Sequence, residues 1–160
     1  MKKIIAATTV ALALATTASA ELRVGLGFAA GSSNAQEASG VRVPLDFDFG
    51  LRIEPELGFS KDLTTVAVGA YYTFLKIEEV NIFAGGRIGF TKADYPTDPT
   101  GTSIQGLIGA EYFLVANKFS IATQVGLESA SGDLNKYSNY NSNKSGDFGT
   151  TGAVIGHFFF

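Results

Sequence analysis

From Leu22 to the C-terminus apolar residues recur at every second position, the period of a strand with one buried face. Leu22, Val24, Leu26 and Phe28 fall on one face, with Arg23, Gly25, Gly27 and Ala29 on the other. The pattern returns as Val41, Val43, Leu45, Phe47 and Phe49 against Arg42, Asp46 and Asp48. It returns again as Leu51, Ile53, Leu57 and Phe59 against Arg52, Glu54, Glu56 and Gly58. Five further segments follow: Val66 to Phe74, Ile82 to Phe90, Ile104 to Tyr112, Phe119 to Leu127, and Phe148 to Phe160. Eight strands of roughly ten residues are therefore predicted, the length of a tilted strand crossing a membrane and an even number.

The connections alternate in length. Residues 49 to 51, 75 to 79 and 114 to 117 are tight, whereas 31 to 40, 91 to 102 and 129 to 147 are long and rich in Gly, Ser, Asn and Asp. One connection on the long side, Ser60 to Thr64, is short. Short turns at one end and longer loops at the other predict an up-and-down barrel with both termini at the short-turn, periplasmic end. Pro44 and Pro55 fall inside predicted strands, where each removes a ladder donor, so bulges or strand ends are expected there.

The first twenty residues do not join the pattern. Lys2 and Lys3 precede an apolar run from Ile4 to Ala15, and Ala18-Ser19-Ala20 closes the segment. This reads as a cleaved signal peptide over 1–20, with one barrel domain over 21–160 exported across the inner membrane. Removing Lys2 and Lys3 makes the formal net charge of −3 more negative, which argues against nucleic acid as a partner. Cysteine is absent, so neither disulfides nor thiolate metal sites are available. No later run approaches the roughly eighteen apolar residues of a membrane helix.

Alternation alone does not separate a membrane barrel from a soluble one; the composition of the polar face does. Its strand cations are Arg23, Arg42, Arg52 and Arg87, while Lys61, Lys76, Lys92, Lys118, Lys136 and Lys144 fall in predicted turns or loops. Carboxylates share that face: Asp46, Asp48, Glu54, Glu56, Glu111 and Glu128. Between them lie small residues such as Gly69, Gly85, Gly89, Gly109, Ala122 and Gly126. Guanidinium forks can hold carboxylates bidentately in a confined lumen. An Arg on the lipid face at mid-bilayer costs about 2–4 kcal/mol, so the charged face is predicted to point inward. Aromatic girdles are then expected outside, with Phe28, Phe59, Phe90 and Phe148 beside the long loops. Phe49, Phe74, Tyr112, Phe119 and Phe160 would form the second girdle beside the short turns.

The last strand, Thr150 to Phe160, alternates and ends the chain in Phe; it resembles the assembly signal of bacterial outer-membrane proteins. Residues 22 to 160 as a whole resemble the small outer-membrane β-barrel family that includes OmpX and the membrane domain of OmpA. Arg52-Ile53-Glu54-Pro55-Glu56-Leu57-Gly58-Phe59 is similar to the third strand of many of its members. The resemblance implies an all-β, eight-stranded antiparallel barrel in the outer membrane. Its expected partners are outer-membrane lipid and the barrel assembly machinery, the latter through the strand ending at Phe160.

Chemistry is sparse. No catalytic, cofactor-binding or metal-ligating set is expected. His157 is the sole histidine and is predicted to face the lumen near the periplasmic end, beside the first strand; the outer strand ends carry none. The stretch Gly132 to Asn141 begins like a calcium loop from Asp133, but Tyr137 and Ser138 stand where a ligand and Gly are needed. Its Tyr, Asn, Ser and Lys content suits adaptable contacts. The expected role is structural or adhesive, with loops 91–102 and 129–147 meeting a cell-surface partner. A narrow channel is the main alternative, followed by a soluble periplasmic ligand-binding barrel.

Overall fold

The computed structural model describes residues 22–33, 37–60, 63–93, 100–115, 118–132 and 147–160. The predicted signal peptide and the calcium-like stretch from Asp133 onward lie outside them, as do residues 94–99. The strands are β1 (Leu22–Ser33), β2 (Glu37–Arg42), β3 (Leu45–Phe47), β4 (Leu51–Ser60) and β5 (Leu63–Ile77). They continue as β6 (Val80–Ala93), β7 (Thr100–Val115), β8 (Phe119–Gly132) and β9 (Asp147–Phe159). β1 pairs antiparallel with both β2 and β3, sequential strands pair antiparallel from β3 onward, and β9 returns to β1 along a ladder from Gly25↔Phe159 to Ser33↔Thr151. No edge remains. Because β2 and β3 both lie between β1 and β4, they form one position in the wall, and the barrel is eight-stranded and closed.

The two prolines meet where β2 gives way to β3. Val43 N donates to Pro55 O at 3.0 Å and Gly25 N to Pro44 O at 3.0 Å, bonds that a proline can accept but not return. Pro44 does end a strand, yet Arg42↔Glu56 and Leu45↔Ile53 keep one register across the gap. Pro55 pairs with Val68 inside an unbroken β4, so the expected interruption there is corrected.

The register shifts lie elsewhere, between Thr73 and Leu75 and between Phe113 and Val115. Each bulge adds one residue, Phe74 or Leu114, and both are exposed. That extra residue breaks the period of two, which is why Leu75 to Ile77 read as a turn although β5 runs through them. The reversal that follows begins at Glu78, with φ 50°. At the neighbouring turn Gly50, with φ 91°, donates to Phe47 O at 3.0 Å, a conformation that disfavours any residue carrying a Cβ.

On the long side the strands also outrun the prediction. Residues 31–33 and 37–40 are ladder, with Ser32 paired to Glu37, and Lys92 is still in β6. Gly- and Ser-rich strand ends carry no apolar alternation, so they resemble loops in sequence.

The interior is packed by side chains from every wall position. Tyr71, Phe83, Leu107, Ile155, Ala29 and Ala122 form its apolar cluster, with the Tyr71 and Phe83 rings edge to face at 5.6 Å. Space for those rings comes from glycine. A Cβ on Gly69 would stand 2.5 Å from the Tyr71 ring, and one on Gly85 would stand 2.1 Å from Ala70 O. Gly85→Ala must therefore move backbone and is expected to cost about 1–3 kcal/mol. Gly156→Ala, whose Cβ would meet nothing within 4 Å, should leave stability unchanged. Equal urea midpoints for the two variants, followed by circular dichroism, would refute this account of the packing.

Candidate functional site

The inward positions of the short-turn half hold a single chain of charged groups, built because arginines on four wall strands face carboxylates on others. Arg87 grips Glu56 bidentately, Nε and Nη2 each at 2.9 Å. Arg42 lies between Glu56 and Glu54, with Nη1 donating to Glu54 Oε1 at 2.8 Å. Its Nε is 3.1 Å from Glu56 Oε2, close enough to pair but off the hydrogen-bond axis. Glu54 Oε2 meets His157 Nε2 at 3.1 Å, and His157 Nδ1 meets Glu111 Oε1 at 3.0 Å. Arg52 then joins Glu111, at 2.8 Å, to Asp46, which it contacts through both Nε and Nη2. Arg23 completes the chain on Asp46 at 3.1 Å.

Nine side chains thus link β1, β2, β3, β4, β6, β7 and β9 without interruption. Most are nearly solvent-free: Glu111 is 1 % exposed, His157 1 %, Glu54 3 % and Arg42 3 %. At that burial a charge is tolerable only with a partner, and here each charge has at least one. Arg23 is the more open end, and its guanidinium lies 5.1 Å above the Phe159 ring and 5.7 Å from that of Phe113. Arg52 approaches Phe159 at 5.5 Å, so rings and cations together close the short-turn end of the lumen.

Two predicted members stand apart. Asp48 is exposed in the turn between β3 and β4, because the strand ends at Phe47 before parity can turn it inward. Glu128 is buried at 5 % exposure, but its partner is Gln105 Nε2 at 3.1 Å rather than an arginine. Lys76 and Lys92, expected in turns or loops, lie within the last two residues of β5 and β6.

His157, assigned to the lumen but given no role, is the link between the halves of the chain. Ser120, which donates to Glu111 Oε1 at 2.6 Å, and Gln105 were not foreseen. Nor were the large apolar side chains inside: Tyr71, Phe83, Leu107, Phe113, Ile155 and Phe159. Parity could have placed them, since Tyr71 follows Ala67 and Gly69 at the same spacing and Phe83 precedes Gly85. Ser120, Glu111 and His157 are the residue types of a hydrolase triad. Their connections differ from one, because serine and histidine both bind the carboxylate and no Ser–His bond is formed.

The outer face is the reverse of the interior. Val66, Val68, Ile88, Ile104, Ile108, Val125, Leu127 and Val154 are exposed around the wall. So are all nine predicted girdle aromatics, from Phe28, Phe59, Phe90 and Phe148 toward the loops to Phe49, Phe74, Tyr112, Phe119 and Phe160 toward the turns.

No family model matches the chain, and no curated protein does. Solved structures share the fold. The N-terminal β-barrel domain of Pseudomonas aeruginosa OprF aligns with TM-score 0.56 and 11 % identity, over 87 % of this chain and 99 % of that one. Neisserial surface protein A aligns with TM-score 0.51 and 16 % identity, over 89 % of this chain and 100 % of its own. The de novo designed TMB2.3 aligns with TM-score 0.51 and 8 % identity, over 86 % of this chain and 93 % of its own. The architecture is that of the eight-stranded outer-membrane barrels.

Proposed function

We propose that this chain is an outer-membrane barrel that holds its long loops at the cell surface for contact with another molecule, and that it performs no catalysis. The observation that carries this reading is the inversion of polarity: exposed aliphatic and aromatic side chains encircle the wall while Arg42, Asp46, Glu54, Glu56, Glu111 and Glu128 are enclosed. Soluble monomers rarely expose contiguous apolar surface beyond a few hundred Å², whereas outer-membrane barrels carry an apolar band with aromatic girdles. The signal peptide over 1–20 and the terminal strand ending at Phe160 supply the export and assembly steps of the same reading. One fold neighbour is by name a surface protein, and the same placement is proposed here.

Anchoring is favoured over conduction because the lumen is blocked from wall to wall below its loop-side third. Eight strands enclose a lumen that side chains can fill, and here an ion-pair chain and an apolar cluster together close it there.

Protease shaving of intact cells, with mass spectrometry of the released peptides, tests the topology. Trypsin is expected to cut at Lys136 or Lys144 and to leave a core in the outer-membrane fraction. Cuts at Arg42, Arg52 or Arg87 would overturn the reading, since those residues would then be outside. Planar-bilayer recordings of the purified protein are expected to be silent; steady conductance would put the channel first.

A further inference from the structure

Loopward of the Arg87–Glu56 pair most inward positions become small. Gly58, Ala67, Gly89, Ser103 and Ala130 carry nothing bulky, Leu63 at the loop end of β5 is the larger exception, and Thr65 and Thr91 share a hydroxyl contact of 2.8 Å across β5 and β6. Two larger polar groups stand at the floor of this cup, Gln105 at 6 % exposure and Glu128 at 5 %. Their one mutual bond, Gln105 Nε2 to Glu128 Oε1 at 3.1 Å, uses the amide as donor. Gln105 Oε1 and Glu128 Oε2 are left as acceptors. Among the described residues, the fully enclosed polar atoms without partners are Arg42 Nε and Tyr71 Oη. Neither floor oxygen is one of them, so both keep contact with solvent in the cup.

The charge at this floor is uncompensated locally. Arg87, Gln105 and Glu128 form one row across β6, β7 and β8, but Arg87 commits both its bonds to Glu56. Arg42, Arg52 and Arg23 are held by Glu54, Glu111 and Asp46, and among the described residues no cation pairs with Glu128. A carboxylate in such a place gains most from a cation that brings several donors. Two adjacent acceptors, one charged and one neutral, match an ammonium or a guanidinium group, and small walls leave room for its alkyl stem.

We propose that the loop-side third of the lumen is a binding cup for a small organic cation, an alkylammonium or alkylguanidinium, received by Glu128 and Gln105. The cation has two sources, a free solute or a lysine of the chain's own loops.

The test is an NMR titration of the full mature chain, ¹⁵N-labelled and folded in detergent micelles, with n-butylammonium and methylguanidinium. Their uncharged counterparts, n-butanol and N-methylurea, serve as controls. The Gln105 side-chain amide and the Gly89 and Ser103 amides should shift saturably with the cations alone. Glu128→Gln should weaken the response about tenfold or more, and Gln105→Leu should weaken methylguanidinium more than n-butylammonium. If the response appears only once Lys61, Lys136 and Lys144 are changed to Gln, a loop lysine fills the cup and the cation chemistry stands. Equal shifts with the uncharged controls would overturn the proposal. So would Glu128→Gln binding within about twofold of wild type, or silence in both the wild type and the lysine variant.

Discussion

Arg52→Ala is expected to destabilise the barrel by about 3–5 kcal/mol, the largest single effect in the lumen. Arg52 alone bridges Asp46 and Glu111, and Glu111 is 1 % exposed. Truncation leaves two carboxylates without their shared cation in a space water barely enters. It also removes the guanidinium stacked on Phe159. Asp46 keeps Arg23, the more solvated partner, while Glu111 keeps only Ser120 and His157. Glu56→Ala should fall at the lower end of the same range, because Arg42 retains Glu54 and only Arg87 is fully stranded. If the loss comes from stranding rather than packing, Arg52→Met combined with Glu111→Gln must cost less than the sum of the two changes, by about 0.5–3 kcal/mol. Urea unfolding of the folded protein in lipid vesicles measures all of these. An unchanged midpoint for Arg52→Ala would mean that the chain of ion pairs contributes nothing to holding the wall strands together.

That partnership was not legible in the sequence, although its members largely were. Parity says that Arg52 and Glu111 point inward; it does not say that they meet. Which groups meet depends on the stagger accumulated around the wall, and His157 reaches Glu54 from 103 residues away. The eight strands were readable because a polar lumen inside an apolar belt writes the period of two twice over, once in hydrophobicity and once in charge. Reading failed where one signal was missing. Phe74 and Leu114 break the period by one residue, so the ends of β5 and β7 looked like turns. Gly31 and Gly101, near the loop ends of β1 and β7, carry neither signal and looked like loop. Phe83, Leu107 and Phe159 are apolar at inward positions, so only their spacing, not their polarity, betrayed them. Asp48 shows the reverse error, a polar residue at a lumen spacing where the strand has already ended.

Placement in a membrane makes its own demand on the outer face. Val68→Arg is expected to cost about 2–4 kcal/mol in vesicles, whereas Thr64→Arg on the same strand should cost about 0–1 kcal/mol. Both positions face outward on β5, and Val68 is 47 % exposed, so neither arginine meets a steric barrier in the barrel. They differ in depth: Thr64 is at the loop end of β5, while Val68 lies midway between it and Phe74 and pairs with Pro55 and Ile88. An arginine at Val68 must carry its charge into hydrocarbon or bend back to a headgroup; at Thr64 the headgroups are already within reach. A water-soluble barrel would make no such distinction, since surface changes away from special features usually stay within about 0.5 kcal/mol. Equal, small effects at the two depths would leave the closed eight-stranded wall intact and remove the membrane from around it. A depth-dependent loss would tie the exposed belt to lipid independently of its likeness to other barrels, because the penalty is set by the solvent that the side chain meets.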